Sequence, residues 1–211
     1  MILKQFTAGP YEANNYLIID EETKKAALVD ASGDFKKVKA LLEDNGATLE
    51  KILLTHGHFD HIGGCYEFQK SLGAKVFIHK EDTEMVTKLK TQLQMFGLPP
   101  QEEPKVDGFI QDNEIIELGT LKIKAIHTPG HTKGGVCYVV EDKIFSGDTI
   151  FLQSVGRTDL PGGSYNELED SITQKLFTLD GDFTIYAGHG PSTTLKKERF
   201  SNPFFGKRPI V

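Results

Sequence analysis

Residues 55–64 read THGHFDHIGG, and the rest of the chain is best read outward from them. Three of the chain's seven histidines, His56, His58 and His61, fall within six positions, with Asp60 beside the last. The stretch follows KILL directly, which places it in the loop at the C-terminal end of a strand. Gly57, Gly63 and Gly64 let the backbone bend there. His56 and His58, two apart in extended chain, project to the same side. Asp60 and His61 come after the bend and point back from another direction. Imidazole and carboxylate together suit zinc, iron or manganese. One histidine in a polar loop is commonly structural; three with an aspartate, directly after a buried-type strand, point to a metal.

Three further strands end alike. LKIKAIHTPGHT carries His131 in a Pro-Gly turn, KIFSGDT ends on Asp148, and FTIYAGHG ends on His189 between glycines. Each alone is a weak signal. Together they give His56, His58, Asp60, His61, His131, Asp148 and His189, too many ligands for one tetrahedral ion and suited to two. A carboxylate shared by both would hold the ions ~3.5–4 Å apart.

The remaining pattern is α/β. NYLIID, KAALVD, KILLT, AKVFIH, LKIKAIH, VCYVV, KIFSGD and FTIYAGH read as strands. FKKVKALLEDNG, CYEFQKSLG, KEDTEMVTKLKTQLQMFG and NELEDSITQKLFTL read as helices, the last with Leu168, Ile172, Leu176 and Leu179 at helical spacing. The Pro-rich stretch GLPPQEEPKVDG at 97–108 is read as a connection within a single domain, because ligand-type residues lie on both sides of it. The domain is taken as residues 1–211. No charged n-region followed by an unbroken apolar run marks a signal peptide, and no stretch reaches the length of a membrane span. Lys plus Arg is 24 and Asp plus Glu is 30, and the net charge of -6 argues against nucleic acid or an anionic membrane as partner. Cys65 and Cys137 are far apart and outside any CxxC pair, so both are expected to be buried thiols in a reducing cytoplasm.

HxHxDH, the later PGHT, the SGDT and the final GHG resemble the metallo-β-lactamase superfamily over essentially the whole chain. The resemblance implies a four-layer αβ/βα sandwich, two mixed β-sheets flanked by helices, with the metals at one edge. It implies that His56, His58 and His131 bind a first ion, that Asp60, His61 and His189 bind a second, and that Asp148 bridges them. It places Asp30, in ALVDASG, behind the ligands to orient one histidine; a strand-end turn residue is the alternative reading. Two divalent ions are implied, zinc first, with iron or manganese compatible.

Within the superfamily, no cysteine stands at a ligand position, which weighs against the zinc β-lactamases. SVGRTDLPGG at 154–163 and GHGPSTT…ERFSNPFF resemble the glyoxalase II-like hydrolases (hydroxyacylglutathione hydrolases), in particular the short bacterial form. That form implies hydrolysis of a small-molecule thioester, or a related ester, by a metal-bound hydroxide. Asp60 and Asp148 would orient the water while serving as ligands. Arg157 is a candidate to hold a substrate carboxylate, or alternatively to pair with Asp159. The usual glyoxalase II has a further helical glutathione-binding domain, whereas this chain ends about twenty residues past His189. The basic tail residues Lys196, Lys197, Arg199, Lys207 and Arg208 read as a solvated face. The GRTD stretch also resembles persulfide dioxygenases, which use one iron. A non-catalytic metal-binding module is the third reading, weakened because all seven ligands are present. His79 and His127 are read as structural; Tyr11, Met95 and Phe96 are candidate pocket walls that the sequence does not place.

Overall fold

The computed structural model describes residues 1–207; Arg208 of the basic tail lies outside them. Two six-stranded sheets face each other. The first runs in chain order, β1 (Ile2–Ala8), β2 (Ala13–Ile19), β3 (Lys25–Val29), β4 (Thr48–Leu53), β5 (Lys75–His79) and β6 (Val106–Ile110). Its first three strands pair antiparallel and β3 to β6 pair parallel. The second sheet has β7 (Ile115–Leu118), β8 (Leu121–His127), β9 (Val136–Val140), β10 (Lys143–Gly147), β13 (Thr184–Ala187) and β14 (Thr193–Thr194). There β10 and β13 are parallel neighbours. A small ribbon, β11 (Ile150–Phe151) with β12 (Ser154–Val155), follows β10.

Three apolar layers hold this together. Between the sheets lie Tyr16, Ile18, Ala27, Val29 and Leu53 from one side and Ile123, Ala125, Tyr138 and Phe145 from the other. On the outer face of the first sheet, Leu17, Ile19, Leu28 and Ile52 pack against Val38 and Leu42 of α1 (Phe35–Asn45) and Phe68 of α3 (Cys65–Leu72). On the outer face of the second, Ile126, Cys137 and Ile144 meet Leu168, Ile172, Leu176 and Leu195. The arrangement is therefore helices, sheet, sheet, helices, as expected. Strand β2 is buried at every position, because one face looks at the partner sheet and the other at helices.

Three main strands left little trace in the sequence. β1 and β6 are the edges of the first sheet and β7 is an edge of the second. Edge strands bury little, so their apolar pattern is weak; β1 has one fully buried residue, Phe6. Strand β6 begins inside the Pro-rich stretch and pairs with β5, so that stretch returns the chain to the sheet it left. The helix expected over 80–97 is divided into a 3-10 turn (Lys80–Asp82), α4 (Thr83–Thr87) and α5 (Leu89–Met95). Lys88 leaves helical geometry at φ -110 and ψ 18, yet Val86, Leu89 and Leu93 stay buried on one face. The next expected helix starts as α6 (Tyr165–Asp170) and continues as a π-helical turn over Ser171–Leu176. Helix α7 (Leu195–Ser201) lies within the stretch read as a tail.

No helix among the described residues is long and apolar enough to cross a membrane. Cys65 and Cys137 are both buried and free.

Two phenols cross between the sheets: Tyr16 Oη donates to the Ala187 carbonyl at 2.6 Å and Tyr138 Oη to the Leu54 carbonyl at 2.7 Å. Tyr138→Phe removes the donor and leaves a buried carbonyl short of a partner. Its expected cost is about 1–3 kcal/mol, read as a lowered urea midpoint in the metal-stripped protein. An unchanged midpoint would mean that the bond contributes nothing net.

Candidate metal centre

Parallel neighbours end on the same side of their sheet. That brings the residues after β3 and β4 together in one sheet, and those after β10 and β13 in the other. The loop after β4 carries His56 and His58, then closes into the short helix α2 (Phe59–Ile62), which presents Asp60 and His61. His131 comes from the turn after β8, Asp148 directly follows β10, and His189 lies two residues past β13.

These seven side chains converge. His56, His58 and His131 form one group, and Asp60, His61 and His189 another; in each, the candidate ligand atoms lie within 4.8 Å of one another. His131 Nε2 faces His58 Nδ1 at 2.9 Å, and His61 Nε2 faces His189 Nε2 at 3.3 Å. Asp60 Oδ2 lies 3.3 Å from His189 Nε2. Asp148 stands between the groups, with Oδ1 3.5 Å from His61 Nε2 and Oδ2 3.7 Å from His131 Nε2.

The backs of the imidazoles set which nitrogen faces inward. Asp30 Oδ1 accepts from the Thr55 backbone N–H at 2.8 Å, and Oδ2 accepts from Thr55 Oγ1 and His61 Nδ1, also at 2.8 Å. The one Thr55 hydroxyl proton goes to that carboxylate, so Oγ1 accepts from His56 Nδ1 at 3.0 Å. His131 Nδ1 donates to the Arg157 carbonyl at 2.8 Å. Nε2 of His56, His61 and His131 is thereby turned to the middle. His56 Nε2 and Asp148 Oδ1 are buried without a hydrogen-bond partner. Such atoms are costly in a folded protein unless something binds them. Bare imidazole nitrogen and carboxylate oxygen in this number fit divalent zinc, iron or manganese.

Individual members of the two groups sit in different electrostatic surroundings. Burial pushes His56 well below the ordinary histidine range. Burial and the neighbouring His131 bring His58 down to about 3. Burial also works against His61, but the carboxylates of Asp148, Asp30 and Asp60 outweigh it and raise His61 to about 10. His189 is likewise raised against burial, through its bond to Asp60 and the charge of Asp148. Asp60 is buried too, yet the bond to His189 and the charge of His61 hold it at about 2.

All seven expected ligands and Asp30 therefore meet in one place. The Arg157 side chain does not point to them: Nε and Nη2 each donate to Asp159 at 2.7 Å, and both residues are exposed. Its backbone carbonyl is what touches the centre. His79 and His127 stack on each other, centroids 4.0 Å apart, outside the ligand groups. Tyr11 and Phe96 lie against Phe59, at 5.3 and 4.7 Å between centroids, on the flank of the ligand loop, and they and Met95 are exposed. Sequence reasoning missed Thr55, although it opens the quoted stretch. It also missed Asn14, which grips the His189 loop: its N–H donates to the Gly188 carbonyl at 2.7 Å, and Nδ2 to the carbonyls of Ala187 and Gly190 at 2.9 Å. The signal was two asparagines inside an otherwise apolar strand.

A histidine held at about 10 keeps its proton at pH 7, so an ion can reach His61 Nε2 only by displacing it. Metal uptake at pH 7 is expected to release about one proton or more, and affinity to fall as the pH is lowered. Titration calorimetry in two buffers of different ionisation enthalpy measures the release; identical heats in both would contradict it.

The chain is 35% identical over 207 residues to the hydroxyacylglutathione hydrolase GloC of Haemophilus influenzae, covering 94% of this chain and 95% of that protein. The crystal structure of BLEG-1, a B3 metallo-β-lactamase, superposes with a TM-score of 0.88 at 34% identity, covering 97% of this chain and 99% of that one. The crystal structure of ETHE1 from Myxococcus xanthus superposes with a TM-score of 0.82 at 25% identity, covering 97% and 84%. The family model of the metallo-β-lactamase superfamily matches residues 8–189, and the kinship first suggested by the ligand loop holds: the chain belongs to that superfamily of metal-binding hydrolases.

Proposed function

We propose that this protein is a metal-dependent thioester hydrolase that acts on small hydroxyacylglutathione-type substrates. The observation that carries the reading is the pair of adjoining ligand groups with Asp148 between them, and His56 Nε2 and Asp148 Oδ1 buried without a hydrogen bond. The similarity to GloC along nearly the whole chain supports the substrate class.

His56, His58 and His131 would hold one ion, Asp60, His61 and His189 a second, with Asp148 reaching both; zinc is the first expectation, and iron or manganese suit the same donors. Divalent ions so held supply water of lowered pKa and polarisation of the substrate carbonyl. The chain's own part is orientation. Asp30 and the Arg157 carbonyl fix two imidazoles from behind. Asp60 and Asp148 bring carboxylate oxygens to the centre, where they would orient the attacking water, acting as weak bases because they would also be ligands. A thiolate departs without a strong general acid.

A protein nucleophile is not needed, and neither the two thiols nor Ser146 is suited to be one. Burial pushes the Cys65 thiol well up and Cys137 to about 11, so neither supplies thiolate at neutral pH. Ser146 is buried and spends its hydroxyl on the Ile150 carbonyl at 2.9 Å. The net charge of -6 and two free thiols favour a cytoplasmic setting and a small-molecule substrate over nucleic acid or membrane.

Two other readings have specific support. The GRTD loop and the likeness to ETHE1 keep the iron-dependent persulfide dioxygenase open. The likeness to BLEG-1 brings back β-lactam hydrolysis, which the missing cysteine ligand had set aside.

The metal-analysed protein is expected to consume S-D-lactoylglutathione at neutral pH, and Asp148→Ala to lose about a hundredfold or more of that rate. No loss of the thioester by metal-replete protein would sink the substrate assignment. Oxygen uptake on glutathione persulfide, or loss of a chromogenic β-lactam, would then name the alternative. Arg157→Ala is expected to leave kcat/KM within about twofold, because the guanidinium is already engaged by Asp159 in an exposed pair. A raised KM at unchanged metal content would give Arg157 a substrate role instead.

A further inference from the structure

Asp82 closes the 3-10 turn that follows β5, and only 1% of it is exposed. Nothing in the sequence pattern marked it. Its Oδ2 accepts from the Gly57 N–H at 3.0 Å and from Thr132 Oγ1 at 2.7 Å, and its Oδ1 accepts from the Gly134 N–H at 2.6 Å. Gly57 lies between His56 and His58. Thr132 follows His131, and Gly134 closes the same turn. One buried carboxylate thus fastens the ligand loop of the first sheet to the ligand loop of the second, without touching an imidazole.

The glycines in HGH and TKGG are what make that approach possible. A Cβ on Gly57 would lie 2.7 Å from Met85 Cβ and 3.0 Å from the Asp82 carbonyl oxygen. A Cβ on Gly134 would lie 2.6 Å from Asp82 Cγ. Gln92 adds a second tie to the first loop: its Nε2 donates to the Gly57 carbonyl at 3.0 Å and its Oε1 accepts from the Phe59 N–H at 3.1 Å.

The other half of the centre has different supports. His61 hangs on Asp30, and the His189 loop hangs on Asn14. The carboxylate of Asp82 therefore sits behind only one of the two groups. A buried carboxylate is costly, and bringing one to two separate loops makes sense where the loops must be held at a fixed spacing.

We propose that Asp82 is a positioning residue for the three-imidazole group, setting the separation of His58 and His131 at which a divalent ion is bound. The inference rests on the metal centre argued above and is independent of the thioester substrate.

The test is stepwise binding of cobalt(II) to the metal-stripped full chain, by competition with a chromogenic chelator and by the d–d absorption of the bound ion. Wild type, Asp82→Asn and Thr132→Val are compared. Asp82→Asn keeps the shape and sets an amide against backbone donors; Thr132→Val removes one donor at similar volume. Leu42→Ala, in a helix that contributes nothing to the centre, controls for lost stability. Asp82→Asn is expected to weaken one binding step about 10–100-fold and alter its cobalt spectrum, with the other step within about threefold. Thr132→Val should shift the same step less, and Leu42→Ala neither. Equal weakening of both steps, a matching loss in Leu42→Ala, or unchanged binding in Asp82→Asn would overturn the proposal while leaving the metal centre intact. A wild-type chain that takes up no ion would overturn both.

Discussion

Asp30 accepts three hydrogen bonds at 2.8 Å, from the Thr55 N–H, Thr55 Oγ1 and His61 Nδ1, and the geometry of the ligand loop follows from them. The carboxylate lies at the end of β3, next to β4 in a parallel sheet, so it meets the loop as that loop leaves the sheet. It turns His61 so that Nε2 faces inward. By taking the Thr55 proton it also turns His56 the same way. Two candidate ligand nitrogens from one short stretch are oriented by one acidic side chain that lies outside the ligand groups. Its backbone sits at φ 57, a left-handed conformation that aspartate tolerates better than most residues.

The fold supplies the convergence and the polar contacts supply the precision. Strand ends from two sheets deliver the donors to one edge, but a strand end alone leaves a side chain several rotamers. The centre is held from behind by Asp30, by the Arg157 carbonyl, and by Asn14 on the His189 loop. The electrostatics then divide it. Burial and neighbouring imidazoles keep His56 and His58 neutral; where His61 stands among three carboxylates, a positive charge is favoured. A cation there relieves carboxylates that would otherwise repel one another across a few ångströms.

What could be read in advance follows from how much each residue's role depends on its immediate neighbours. The eight inner strands were legible because each buries enough to leave an apolar run, most completely in β2, which is buried at every position. Edge strands β1, β6 and β7 were not, since an edge buries too little to leave a pattern. The broken helix at 80–95 keeps a helical spacing of Val86, Leu89 and Leu93 across its interruption, so spacing alone could not show the break. The ligands stood out because metal binding demands particular side chains, and these cluster at strand ends. Arg157 shows the limit: the sequence offered two partners for its guanidinium, and only the folded loop brings Asp159 to it.

By itself, then, the sequence determined an α/β pattern and the seven candidate donors, which are written in local spacing and in residue chemistry, and its motifs carried the resemblance that implied the superfamily and the four-layer architecture. It did not determine which atoms face inward, how burial and carboxylate neighbours act differently on His58 and His61, or that Asp82 and Asn14 stand behind the ligand loops. Those depend on contacts between segments far apart in the chain, 173 residues apart for Asn14 and Ala187 and 52 for Asp82 and Gly134. No local pattern encodes such a pairing, because it exists only once two sheets have packed and brought their strand ends to a common edge.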